Sequence, residues 1–90
     1  MRKFSVIFSR RAKKFIDGLA ETEKMKISER VHELAQAPYG AGKRLVGEFK
    51  ARNVWSTRVG NYRLLYVIFE AEKTVLVARV DLRKRAYRPM

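Results

Sequence analysis

The sequence has no cysteine, one histidine and two prolines among its 90 residues. Without cysteine there is no disulfide framework, no thiolate-held zinc and no thiol nucleophile. The single histidine, His32, excludes a two-histidine acid–base pair, and its place beside the apolar stripe of a helix marks it as a surface or boundary residue. Acidic groups are scarce, at 9 Asp+Glu against 21 Lys+Arg. Asp17 and Asp81 stand apart and the glutamates fall mostly on helical segments, so no carboxylate cluster for magnesium or zinc is expected, and no cofactor. A glycine-rich phosphate loop is also missing. Its nearest approach, Tyr39-Gly40-Ala41-Gly42-Lys43-Arg44, lacks the Walker spacing and a preceding long strand, and reads as a flexible basic loop. The longest apolar run, Leu64 to Phe69, is six residues, against the ~20 of a membrane helix. No apolar stretch follows Met1-Arg2-Lys3-Phe4-Ser5, so a secretory signal is not expected. A cytoplasmic protein without a membrane partner is the resulting expectation.

What the chain has in excess is positive charge, +12 overall. Its 47% hydrophobic and 11% aromatic residues suit a folded chain rather than a basic tail. Residues 1–90 are expected to form one small domain around one modest core. Such a surface calls for an anionic partner, either nucleic acid or an acidic protein.

Lys3 to Phe8 alternate polar and apolar, the period of a strand. Ser9 has the chemistry of an N-cap. Ala12, Phe15, Ile16 and Leu19 then recur at helical spacing, with Gly18 near the end. Thr22 is a second cap candidate, ahead of a charged helix with the stripe Ile27, Val31, Leu34 and Ala35. Pro38 closes that helix. The stretch from Pro38 to Gly47 reads as a loop around a short strand at Leu45-Val46. Val54 to Val59, Tyr62 to Phe69 and Thr74 to Leu82 are β-rich, and Trp55 and Tyr66 read as sheet core. Gly60-Asn61 marks a two-residue hairpin of the type II′ class. The fold class is α+β, in the order β-α-α-β-β-β-β, with both helices packed on one face of a small, mainly antiparallel sheet.

The hairpin makes a specific demand. With Gly60 and Asn61 as its loop, Arg58 lies directly opposite Arg63, their Cβ atoms about 4.5–5.5 Å apart, where like charges destabilise a sheet. A phosphate between the two guanidinium forks would turn that repulsion into binding. Trailing after the last strand, Arg83, Lys84 and Arg85 add charge to the same region. The turn after Phe69 leaves the facing of Arg79 and Asp81 open.

Taken together, the segments Lys43-Arg44-Leu45-Val46-Gly47, Arg58-Val59-Gly60-Asn61-Tyr62-Arg63-Leu64-Leu65-Tyr66 and Val80-Asp81-Leu82-Arg83-Lys84-Arg85-Ala86-Tyr87 resemble the RelE family. These are toxins of type II toxin–antitoxin systems, within the RelE/ParE superfamily. The resemblance runs over nearly the whole chain and implies a ribosome-dependent endoribonuclease. Such an enzyme cuts messenger RNA in the A site by metal-independent attack of a ribose 2′-hydroxyl on the adjacent phosphate. Arg63 matches the arginine that stabilises the transition-state phosphate, Arg83 the basic residue after the last strand, and Tyr87 the C-terminal tyrosine tied to catalysis and stacking. Arg58 falls where the family has a basic residue. Ser56 stands where the best-studied branch has lysine, and Leu82 where many relatives have histidine, so two proton carriers are missing. Lys43, Arg44, Lys50, Arg52, Lys84 and Arg85 are the expected RNA-backbone contacts. The implied partners are the ribosome and messenger RNA, an acidic RelB-like antitoxin, and operator DNA only through the antitoxin complex.

Two other functions share this pattern: a ParE-like inhibitor of DNA gyrase, and a catalytically degenerate RNA-binding member. The basic residues joined to Tyr87 favour the nuclease, because inhibitors of the ParE type usually lack that combination.

Overall fold

A computed structural model describes residues 3–45 and 53–82. In chain order the elements are β1 (Ser5–Phe8), α1 (Arg10–Asp17), α2 (Glu21–Gln36), β2 (Lys43–Arg44), β3 (Val54–Val59), β4 (Tyr62–Phe69) and β5 (Thr74–Leu82). The five strands form one sheet in the order β1-β5-β4-β3-β2, with β1 parallel to β5 and every other pairing antiparallel. This is the expected α+β order. No described helix is long and apolar enough to cross a membrane.

The first helix starts where its sequence signal lies. The Ser9 hydroxyl accepts a 3.0 Å bond from Ala12 N and donates to the Ala78 carbonyl at 2.8 Å, so one side chain caps α1 and ties it to β5. The second helix starts earlier than Thr22 suggests. Ala20 is its cap residue and makes no side-chain bond; Glu21 and Glu23 instead place negative charge at the positive end of the helix dipole. The buried stripes are as expected, with Ala12, Ile27 and Leu34 fully enclosed. They meet Val59, Leu64, Tyr66, Ile68, Val75, Val77 and Val80 from the facing side of the sheet.

The short strand lies at Lys43–Arg44 rather than at Leu45-Val46. Leu45 still donates its N–H to Val54 O at 2.8 Å, while Val46 falls outside the described residues. The β3–β4 hairpin keeps the expected register, with Val59 opposite Tyr62 and Arg58 opposite Arg63. Gly60 takes φ +58° and Asn61 does not go positive, the pattern of a type II′ turn.

A register shift between Leu65 and Tyr66 decides the facing of Arg79 and Asp81. Tyr66 pairs with Val77 but Leu65 with Arg79, so Ala78 is the extra residue of a bulge. Strict alternation from Val75 and Val77 would drive Arg79 and Asp81 into the helix-side core. The bulge instead buries Val80 there and sets Asp81 opposite Arg63 on the other face.

Candidate functional site

The β3–β4 hairpin carries Arg58 and Arg63 on the face away from the helices. Arg58 is exposed, whereas Arg63 is partly covered and donates through Nη1 to Ser56 Oγ at 3.3 Å. Ser56 is itself buried and serves as an anchor for Arg63. Across β4 the row runs Arg58, Arg63, Asp81, and Asp81 also pairs with Arg79 at 3.2 Å. The opposed arginines therefore have a carboxylate on one flank, which offsets part of the repulsion that the hairpin alone implies.

Strand β2 is two residues long, so it covers only part of the outer edge of β3. Lys43 lies opposite Ser56 and Arg44 opposite Trp55. Alongside Thr57 and Arg58 that edge is met by α2 instead. Arg30 donates through Nη1 to Thr57 Oγ1 and, at 3.0 Å, to the Arg58 carbonyl, and its Nε pairs with Glu33 at 2.9 Å. Thr57 in turn donates to Ala41 O at 2.9 Å, which fastens the loop before β2.

The loop from Pro38 to Gly42 is pinned rather than free, contrary to its flexible, glycine-rich appearance. Tyr66 sends its fully buried hydroxyl to Pro38 O at 2.8 Å, and Gly40 and Ala41 donate to Ala37 O. Burial pushes the Tyr66 phenol up to about 12, against a smaller opposing pull from the Arg30 charge. Tyr39 packs edge-on against Phe4 and Trp55, and Trp55 stacks on Tyr66, so these aromatics are framework, as expected for Trp55 and Tyr66. His32 is exposed, as expected.

These parts enclose an open cavity of about 500 Å³ lined by Arg30, Lys43, Arg44, Arg58 and Arg63, with Ser56, Thr57 and the 40–42 loop. Among the described residues, five cations and no carboxylate line it. Of the residues expected from sequence, the structure thus brings together Arg58, Arg63, Lys43 and Arg44. Lys50, Arg52, Arg83, Lys84, Arg85 and Tyr87 lie outside the described residues. Arg30 escaped the sequence reading, although its spacing held a signal. It falls three residues after Ile27 and four before Leu34, a charge on the border of the buried stripe. Among the described residues no group of three or more His, Asp or Glu could hold a metal ion. The geometry suits a polyanion, because fixed guanidinium forks match phosphate oxygens in a partly desolvated cleft.

The family model described as the ParE toxin of type II toxin–antitoxin system, parDE, matches residues 6–87. No curated protein matches the chain. Among solved structures, the toxin–antitoxin complex RelBE2 from Mycobacterium tuberculosis contains a chain 32% identical to this one; the match covers 92% of this chain and 94% of that one, with a TM-score of 0.81. The intact E. coli RelBE complex matches at 21% identity over 91% of this chain and 99% of that one, with a TM-score of 0.76. The chromosomal ParDE system from P. aeruginosa matches at 20% identity over 89% and 96%, with a TM-score of 0.64. The last two share the fold; the family model and the mycobacterial likeness carry the relationship, and the chain belongs to the ParE toxin family of type II toxin–antitoxin systems, within the RelE/ParE superfamily.

Proposed function

We propose that the chain is a ribosome-dependent endoribonuclease that arrests translation by cutting messenger RNA, held in check by an acidic RelB-like antitoxin. The observation that carries this reading is the cavity in which Arg58 and Arg63, opposed across the hairpin, share one space with Lys43 and Arg44, with no carboxylate lining it among the described residues. Attack of a 2′-hydroxyl oxygen on the neighbouring phosphorus, with loss of its proton, breaks the bond to the 5′-oxygen, which leaves as a hydroxyl, and forms a 2′,3′-cyclic phosphate. Negative charge builds on the non-bridging oxygens of the pentavalent phosphorus. Arg63, oriented by Ser56, would stabilise that charge, and loss of one such donor typically costs about 10²–10³ in rate. Arg58 would share the same phosphate, while Arg83 and Tyr87 would complete the site as their match to the family implies.

The proton chemistry supports a need for the ribosome. Arginine does not release its proton near neutral pH. Tyr66 is spent on Pro38 and pushed up to about 12, and the Tyr39 hydroxyl is raised above its ordinary value, chiefly by its bond to Glu70. With weak proton transfer, rate must come from an imposed in-line geometry, which a ribosome-held message supplies. Lys43, Arg44, Lys50, Arg52, Lys84 and Arg85 would grip RNA backbone with a steep salt dependence. The net charge of +12 suits an acidic antitoxin, and the mycobacterial relative is a toxin–antitoxin complex. Operator DNA would be met only through that antitoxin.

Primer-extension mapping of messages after induction tests the reading. Codon-phased cuts that disappear in Arg63→Ala are expected, and vigorous cleavage of naked RNA by the free protein would contradict it. The ParE family model favours a second reading, binding inhibition of DNA gyrase. Growth arrest with intact messages and damaged DNA would select that one.

A further inference from the structure

Arg30 has more donors than its framework contacts use. Of its five N–H groups, Nε is taken by Glu33 and the two on Nη1 by Thr57 Oγ1 and the Arg58 carbonyl. The Nη2 pair has no partner among the described residues, and the side chain lines the cationic cavity with only 29% of its surface exposed. A fork held at three points loses little further freedom on binding, so its remaining donors are pre-organised for an anion. A purely mechanical staple between α2 and β3 would need only neutral donors. Placing a fifth positive charge among Lys43, Arg44, Arg58 and Arg63 instead adds repulsion unless a polyanion enters, and Glu33 beside Arg30 and Asp81 beside Arg63 offset only part of it.

From these observations we infer that Arg30 is a phosphate ligand of the site, gripping the backbone of a single-stranded polynucleotide beside the phosphate cradled by Arg58 and Arg63. This rests on the RNA reading above and extends it to a residue on the opposite side of the β3 edge. Arg58 and Arg63 approach from the helix-free face, whereas Arg30 reaches the same cavity from α2. No aromatic side chain lines this cavity among the described residues, so this part of the site reads phosphates rather than bases.

The test is binding of a 2′-O-methyl pentaribonucleotide, which lacks the attacking hydroxyl, to the full chain by fluorescence anisotropy from 50 to 300 mM KCl. For a single strand, removing one cation that neutralises a phosphate lowers the slope of log K against log salt by about 0.7. Arg30→Gln is expected to lower the slope by that amount and to weaken binding roughly 10-fold at 100 mM salt. Thr57→Val removes an anchor but no charge, and keeps the wild-type slope. Arg30→Lys keeps the slope but, lacking the fork, binds roughly 3- to 10-fold more weakly; it carries the test if circular dichroism shows Arg30→Gln unfolded. A wild-type slope in Arg30→Gln alongside a lowered slope in Arg63→Gln would overturn the role of Arg30 and leave the RNA reading standing, as would wild-type affinity in Arg30→Lys. Unchanged slopes in both glutamine variants would overturn the RNA site itself.

Discussion

Substitution of Gly42 by alanine tests whether the pinned loop sets the geometry of the cationic cavity. A Cβ on Gly42 would overlap the Tyr66 hydroxyl oxygen, and would lie 2.5 Å from the Ser56 carbonyl oxygen and 3.1 Å from Tyr66 Cζ. Neither neighbour yields easily. The Ser56 carbonyl belongs to β3, and the fully buried Tyr66 ring is committed to Pro38 O at 2.8 Å. The loop must therefore move outward, and overpacking of this kind costs about 1–3 kcal/mol. If the shift also breaks the Tyr66–Pro38 bond, a buried hydroxyl loses its partner, worth a further ~1–3 kcal/mol. Because one displacement produces both effects, the expected total is about 2–4 kcal/mol, a large share of the ~5–15 kcal/mol of a typical domain. For a chain of this size that lowers Tm by roughly 10–25 °C.

Urea denaturation of Gly42→Ala, Tyr66→Phe and the double variant gives the measurement. Removing the hydroxyl relieves the overlap with Tyr66 but not the approach to Ser56 O. The double variant should therefore cost at least ~1 kcal/mol less than the sum of the singles. Because the loop leads directly into Lys43 and Arg44, Gly42→Ala should also weaken RNA binding below its melting temperature. Stability within ~0.5 kcal/mol of wild type, or additive single effects, would refute the argument that close packing at Gly42 holds the site's rim.

Tyr66 also links stability to pH. Its folded phenol is pushed up to about 12, above the ordinary value near 10, so the fold favours the neutral form. The associated stability is complete below pH 10 and is lost as pH rises towards 12, by an amount on the order of 2–3 kcal/mol. Urea midpoints from pH 8 to 11.5 should fall more steeply in wild type than in Tyr66→Phe; equal slopes would contradict the linkage. Ser9→Ala removes both the cap of α1 and its bond to Ala78, and should cost about 1–2 kcal/mol in thermal denaturation. A loss under ~0.5 kcal/mol would show that neither bond contributes.

Much of the fold was legible because its signals are local. The hydroxyl of Ser9 sits one residue ahead of a helical stripe. Gly60 supplies the positive φ that a two-residue turn requires, and that turn alone sets Arg58 against Arg63. The bulge at Ala78 was legible in principle. The apolar phase changes from Val75 and Val77 to Val80 and Leu82, and only an extra residue keeps Arg79 and Asp81 out of the core. The cap of α2 was misplaced because Ala20 leaves no side-chain signal, and the dipole is met by Glu21 and Glu23 instead.

The cavity belongs to the other kind of information. Sequence by itself determined the excess of charge, the two helical stripes, the hairpin and the opposed arginines, since each depends on residues a few positions apart. Tertiary structure decided that Arg30 would join them, 28 positions from the Arg58 carbonyl it holds. It also decided that a loop read as flexible would be locked by Tyr66, 28 positions from Pro38. Such contacts depend on where α2 crosses the edge of β3 and on how briefly β2 covers it. No local period encodes a distance between elements, so their meeting place appears only when the sheet and helices pack.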